Sequence, residues 1–140
     1  MADYTPVFAP SKTVTLTAST ALVGGDILEV SGSGTVQKCA TAGSQKYIGV
    51  AGNDTVINGR VTVYSRGYIH ESVADGAITA GDQLQTSATA GRQVKTLPAQ
   101  DVGGAFGQGA VNAAIAAIRT IVGVALTTAA DNTKVRWMEF

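Results

Sequence analysis

Apolar and polar residues alternate along much of this chain with the period of two that is typical of half-buried β-strands. From Thr13 to Ala18, threonines occupy one face while valine, leucine and alanine occupy the other. Further strands are predicted at residues 27–31, 35–39, 47–51, 60–64 and 68–73. Gly32-Ser33-Gly34 predicts a hairpin between two of them, and Asn58-Gly59 predicts another turn. The pattern therefore predicts a mainly all-β protein.

The second half of the chain repeats the pattern of the first. Three segments recur in the same order: Ala21–Leu28 as Ala77–Leu84, Tyr47–Ala51 as Ile121–Ala125, and Arg60–Val63 as Lys134–Trp137. The first pair is offset by about 56 positions and the other two by about 74, which places an insertion between Val94 and Ile121. Two such copies, at about residues 13–76 and 77–140, predict one compact, pseudo-repeated domain that resembles a β-barrel or β-tulip. We expect a pseudo-twofold axis to relate the two copies.

The insertion, at about residues 98–120, is predicted to contain one short helix. Val111, Ile115 and Ile118 lie at the i, i+4, i+7 spacing of a helical face, and most intervening residues are alanine. A helix of about three turns is only marginally stable alone. We therefore expect this face to pack on the sheet or on a neighbouring subunit, and the sequence leaves both alternatives open.

Residues 1–12 are predicted to form an extended N-terminal arm. Pro6 and Pro10 favour extended backbone in the residues before them and remove two amide donors. Tyr4, Val7 and Phe8 are apolar in a segment too short to bury them by itself. We expect the arm to fold back onto its own domain or to lie on another chain.

Composition narrows the possible functions. The chain has 140 residues, which suits a single domain, and only 14% are charged against roughly 25% in ordinary soluble domains. Its ten basic and ten acidic residues give zero formal net charge, and the basic residues do not cluster, so no nucleic-acid partner is expected. The longest uncharged stretch, Val102–Ile118, is interrupted by glycines, so neither a membrane span nor a membrane partner is predicted. The first four residues lack the features of a secretory signal.

The residues that could take part in catalysis or metal binding are more simply explained by structural roles. Cys39 is the only cysteine and is expected to be a small buried or half-buried residue. His70 is the only histidine and is interpreted as a surface or interface residue of a strand. Asp26 and Asp82 follow glycines at equivalent repeat positions, where each is expected to cap amides of the following strand. We therefore expect no enzyme, no cofactor and no metal site.

The order of these segments resembles a known family of viral proteins. The arm 2–8 leads into a threonine-rich strand at 14–18, followed by the segments 24–36, 48–51, 77–82 and 121–131. This arrangement is similar to the capsid decoration, or head cement, proteins of tailed bacteriophages, especially those of actinobacterial phages. The helical insertion around Gly103–Arg119 is a departure from the family pattern, because such an insertion is not expected in every member.

The resemblance implies a structural protein of the virion that binds the outer surface of the expanded head, with assembly in the host cytoplasm. Such proteins usually clamp neighbouring subunits of the major capsid protein, as homotrimers. Their arms typically order on docking and add a strand to a capsid-protein loop. The arm residues expected to bind the capsid are Tyr4, Thr5, Pro6, Val7 and Phe8, and the expected trimer contacts are Phe106, Val111, Ile115 and Ile118.

Two alternatives from other classes remain. The chain could be a β-barrel binding module that recognises a host-surface glycan, with Tyr64, Tyr68 and Trp137 as candidate aromatic contacts. It could also be a small hydrolase that uses Asp26 and Asp82.

Overall fold

The computed structural model describes residues 3–7, 13–100 and 107–140. Within these ranges the protein is all-β with a single helix, as the sequence predicted. The first five strands are β1 (Thr13–Ala18), β2 (Ile27–Gly32), β3 (Thr35–Lys38), β4 (Tyr47–Ala51) and β5 (Arg60–Tyr64). The second five are β6 (Ile69–Val73), β7 (Gln83–Thr86), β8 (Val94–Thr96), β9 (Gly123–Ala125) and β10 (Lys134–Glu139). The helix α1 spans Gln108–Ile118.

The first five strands close into a small barrel with the order β1-β3-β2-β4-β5. Strand β1 pairs antiparallel with β5 and parallel with β3, and these two pairings close the ring. Apolar side chains that alternate along the strands fill the barrel: Ala18, Leu22, Leu28, Val36, Ala51, Val61 and Val63. The period-two pattern of the sequence therefore corresponds to an inside and an outside of a barrel.

The second five strands repeat this topology, with the order β6-β10-β9-β7-β8. A single parallel bridge between Ala74 and Val94 joins the two outer strands, at the position where Ala18 pairs with Val36 in the first unit. The isolated antiparallel bridge Leu22–Thr55 likewise has its counterpart in Ile78–Ala129. The pseudo-repeat read from the sequence is thus a repeat of strand pairings.

The division between the two units differs from the sequence expectation. Strand β6 pairs along its whole length with β10, so the second unit begins at Ile69 and not at Ala77. This boundary was not recognised from the sequence because the residues of Ile69–Val73 have little similarity to those of the equivalent strand, Thr13–Ala18. The recurring segments begin only at the turn that follows each first strand.

A second core cluster joins the two units. Ile27, Cys39 and Val50 of the first unit pack in one cluster with Trp137 and other apolar residues of the second. The Trp137 indole is fully buried, and its Nε1–H donates a 2.9 Å hydrogen bond to the Ser72 hydroxyl. This shared core makes the barrel and the second sheet one packed body.

Helix α1 lies in the insertion between β8 and β9, as predicted, but none of its residues is buried. Among the described residues, no helix is long and apolar enough to cross a lipid bilayer.

Gly123 is expected to tolerate no side chain. A methyl group at this position would overlap the Met138 carbonyl oxygen on the neighbouring strand and approach the Trp137 ring at 2.7 Å. We expect Gly123→Ala to lower the free energy of unfolding by at least about 2 kcal/mol, because packed backbone must move apart. Urea denaturation measures this loss.

Gly109→Ala is the matched control. Gly109 lies within α1, and apart from the helix's own backbone no described residue has an atom within 4 Å of an added methyl group. Alanine there should leave stability unchanged or raise it by up to about 1 kcal/mol, since it favours helix. Equal effects of the two substitutions would contradict the close packing at Gly123.

Candidate functional site

The N-terminal segment 3–7 lies across the junction of the two units. The Tyr4 amide donates a 2.9 Å hydrogen bond to the Gly52 carbonyl, which belongs to the first unit. The Val7 amide donates a 2.8 Å hydrogen bond to the Ile69 carbonyl, at the start of the second. The described part of the arm therefore folds back onto its own domain, which is one of the two alternatives that the sequence left open.

The Tyr4 ring occupies a place that small residues leave open. A methyl group on Gly24 would come within 2.8 Å of the Tyr4 Cβ atom. The ring stacks on the His70 imidazole with 5.9 Å between centroids and meets the Tyr64 ring edge-on at 6.3 Å. Gly24, in the recurring glycine–aspartate turn, thus makes room for the segment's anchor.

Beneath Tyr4 lies a buried polar network. The alternation of β10 carries Glu139 to the same buried face as Trp137, and the alternation of β6 carries His70 there. His70 Nε2 lies 3.2 Å from one Glu139 carboxylate oxygen, and the Tyr47 hydroxyl donates a 2.8 Å hydrogen bond to the other. The Tyr4 hydroxyl lies 2.9 Å from His70 Nδ1. A neutral imidazole with its proton on Nε2 satisfies both contacts.

The sequence interpretation of His70 as a surface or interface residue is wrong, because its side chain is fully buried. Its partner Glu139 is 69 positions away in the chain, so nothing near His70 indicated the pair. The neighbouring Glu71 does not join this network and pairs instead with the Arg136 guanidinium.

Burial raises the pKa of three side chains in and near this junction. Desolvation raises the pKa of the Tyr4 hydroxyl from 10.0 to about 12. Desolvation, aided by the Glu29 carboxylate, raises the pKa of the Cys39 thiol from 9.0 to about 12. The pKa of the Tyr47 hydroxyl also lies well above its ordinary value, through burial and the adjacent Glu139 charge. Cys39 is buried, as expected from the sequence.

These shifts predict that the protein loses stability in alkali. The folded state favours the neutral thiol and phenol, whereas the unfolded chain releases these protons above pH 9 and pH 10. The stabilising contribution is therefore complete below pH 9 and is lost as the pH rises towards 12. Urea midpoints measured between pH 7 and 11.5 should fall above pH 9. In Cys39→Ala the fall should begin about one pH unit later, and a midpoint constant to pH 11 would contradict this account.

The residues of the arm that were expected to bind the capsid differ in their solvent exposure. Pro6 is buried, Thr5 is exposed, and Val7 is 50% exposed. Phe8 lies outside the described residues.

An apolar tip on the first unit, formed by Val23, Val56 and Ile57, was missed by sequence reasoning. These side chains are 61%, 71% and 60% exposed. The Leu22–Thr55 bridge places Val23 and Val56 as diagonal neighbours on one outward face. The tip adjoins the N-terminal segment, because the next residue, Gly24, contacts Tyr4.

The internal repeat allows the tip residues to be compared with the residues at equivalent positions of the second unit. The equivalent bridges Leu22–Thr55 and Ile78–Ala129 align Val23 with Thr79, Val56 with Ala130 and Ile57 with Asp131. The second unit therefore uses small or polar residues where the first exposes three large aliphatic ones. Since the same turns form with polar residues, the fold does not require the apolar tip. An alignment of the two halves of the sequence shows this difference in residue type, so the apolar tip could have been predicted without the structure.

The predicted helical face exists and points away from the domain core. Val111, Ile115 and Ile118 are 40%, 53% and 62% exposed. This exposure excludes the alternative that the face packs on the protein's own sheet. Phe106, the fourth residue grouped with it, lies outside the described residues.

Asp26 and Asp82 stabilise equivalent turns. Each carboxylate accepts a 2.9 Å hydrogen bond from the amide three residues earlier, that of Val23 or Thr79. The sequence predicted turn capping but placed the capped amides in the following strand. Asp26 also forms a 2.8 Å ion pair with Lys38.

The aromatic residues suggested for glycan binding do not form an exposed platform. Tyr68 and Trp137 are fully buried, which leaves only Tyr64 partly accessible. A sugar could not stack on the two buried rings in this structure.

Comparison with known proteins reveals a similarity of fold. No protein-family model matches the chain, and no curated protein sequence matches it. Among solved structures, the chain is similar to the N base of head fiber gp8.5 of bacteriophage phi29, with a TM-score of 0.56. The alignment covers 92% of this chain and 93% of that chain at 18% sequence identity. At this identity the similarity establishes a common fold, and the resemblance to decoration proteins stays a prediction.

Proposed function

We propose that this protein is a structural component of a tailed-phage virion that binds the outer surface of the head and stabilises the expanded capsid. The observation that carries the proposal is the fold shared along nearly the whole chain with the base of a phage head fiber. The sequence resemblance to decoration proteins supports the same assignment independently. The proposal gives the chain no catalytic role and places its assembly in the host cytoplasm.

The capsid-binding surface in this proposal combines the N-terminal segment with the apolar tip. Tyr4 and Pro6 hold the segment on the domain, so that Thr5, Val7 and Phe8 can contact the major capsid protein. Val23, Val56 and Ile57 lie beside this segment and extend it with apolar area. Contiguous exposed aliphatic residues are typical of protein-interaction surfaces.

The exposed face of α1 is the proposed trimer contact. The helix has no charged residue and is rich in alanine, so identical helices can approach closely without repulsion. Eleven residues form a marginal helix in water, and here no buried residue anchors it to its own domain. Association of three copies through Val111, Ile115 and Ile118, together with Phe106, would bury this face and stabilise the helix.

The capsid-binding surface is tested by charge substitution. We expect Val7→Asp combined with Val23→Asp to weaken binding to expanded, undecorated heads by at least about a hundredfold, because two carboxylates would be desolvated at the contact. Binding is measured by co-sedimentation with heads built from the major capsid protein of the same virus.

Val14→Asp is the matched control, since Val14 is also exposed, at 42%, but lies on β1 of the barrel wall. It should bind heads as the unmodified protein does. Full binding by the Val7/Val23 variant would refute this surface, and loss of binding by all variants alike would point to another one.

A further inference from the structure

A polar cavity of about 370 Å³ opens between the two units, and its described lining contains no residue of the N-terminal segment or of the apolar tip. It is bordered by the start of β4, the turn between β5 and β6, the segment that follows α1, and the end of β10. Its volume lies in the range of small-molecule sites, about 300–1,000 Å³.

Two arginines at this cavity have no anionic partner among the described residues. Arg66 and Arg119 both line it, both are exposed, and neither forms an ion pair or side-chain hydrogen bond with a described residue. Among the described side chains of the lining, the only carboxylate is that of Glu139, which is buried and is already bound by Tyr47 and His70. The unpaired side-chain charge of this lining is therefore positive.

The backbone at Arg66 gives a second, independent indication. Arg66 has φ = 47°, a left-handed conformation that residues other than glycine and asparagine rarely adopt. The other two non-glycine residues with positive φ, among those described, are Asn58 and Asn132, which tolerate it well. An arginine in such a turn is costly unless its side chain is needed, and strained positions of this kind cluster at binding sites.

The remaining lining favours a sugar over a simple ion. Gln45 and Ser65 offer amide and hydroxyl groups without described side-chain partners. The Phe140 ring, 50% exposed, provides an aromatic face at the same cavity. Hydrogen-bonding groups, an aromatic face and guanidinium groups together match a ring that carries hydroxyls and an acidic substituent.

We infer that this cavity binds an acidic sugar unit, with the carboxylate or phosphate held by Arg66 and Arg119 and the ring against Phe140. The site gives the protein a second binding activity, separate from attachment to the head and independent of whether that attachment occurs. An acidic peptide segment is the competing ligand, but a concave site of this size suits a single sugar ring better than the broad contact of a protein partner.

NMR titration of the full chain tests the inference. The probes are glucuronate, glucose 6-phosphate, glucose, inorganic phosphate and a tetraglutamate peptide. At least one acidic sugar should shift the amide signals of Gln45, Ser65 and Thr120 in a saturable way, and glucose should bind at least about tenfold more weakly. The glucuronate and glucose 6-phosphate arms distinguish a carboxylate from a phosphate.

Substitutions assign the binding to the cavity. Arg66→Gly removes the charge while relieving the backbone, so the fold is kept, and Arg119→Gln removes the second charge. Each should weaken acidic-sugar binding at least about tenfold, whereas Arg60→Gln, at an exposed arginine outside the cavity, should not. The inference is overturned by absence of sugar binding, by equal affinity for glucose, phosphate or the peptide, or by binding that both substitutions leave unchanged.

Discussion

Replacing Glu139 with alanine is expected to lower the free energy of unfolding by about 3–5 kcal/mol, the largest loss that we predict for a single side chain. The carboxylate, itself buried, accepts from the half-buried Tyr47 and from the fully buried His70 Nε2. Its removal would leave both donors without this partner, at about 1–3 kcal/mol each, and would create a void beside them. A domain stable by about 5–15 kcal/mol loses a large share of its stability in this way.

Chemical denaturation measures this loss, and Glu71→Ala is the control. Glu71 likewise accepts a hydrogen bond from the partner strand, from Arg136 at 2.7 Å, but on the surface. An exposed pair contributes at most about 1 kcal/mol, so this variant should unfold almost as the unmodified protein does. Equal, small losses in both variants would show that the buried network does not hold the junction together.

The second large effect is expected on the oligomeric state. Ile115→Lys should convert a trimer, at three times the chain mass of 14.2 kDa, into monomers. Ile115 lies at the centre of the exposed helical face, so the proposed contact would bury a lysine ammonium group without a partner. Such burial costs several kcal/mol in each subunit, enough to prevent association at micromolar concentration. Light scattering on the purified protein gives the mass directly.

The control for this experiment lies on the opposite side of the same helix. Ala113 is exposed and about 160° from Ile115 around the helix axis, so Ala113→Lys adds the same charge away from the contact. It should remain trimeric. A protein that is monomeric before any substitution would contradict the trimer in solution, and a trimer that survives Ile115→Lys would place the contact elsewhere.

Local pattern was enough to predict most strands and the helix. Strands β1 to β5 and α1 each correspond to a short run of alternating, continuous or helically spaced apolar residues, and the internal repeat predicted a second copy of the same unit. The unit boundary could not be read in this way. Strand β6 carries a buried histidine and serine where β1 carries valine and leucine, so the two strands look unrelated although they occupy equivalent places in the two units.

The buried network could not be predicted because it depends on distant pairings. His70 meets Glu139 only because β6 and β10 are neighbours in the sheet, in a register that sets His70 opposite Trp137. Docking of Tyr4 depends on Gly24 and Gly52, which the chain brings together only through the barrel. By contrast, the apolar tip could have been predicted from the sequence, since Val23, Val56 and Ile57 are large aliphatic residues and their repeat counterparts are small or polar.

Attachment to the phage head is the central claim, and loading of heads tests it most directly. Expanded, undecorated heads of the same virus are mixed with increasing amounts of the purified protein, and the bound protein is quantified after sedimentation. The account predicts saturable loading at a fixed ratio to the major capsid protein and greater resistance of loaded heads to heat. Heads that bind none of the protein at micromolar concentration would contradict it.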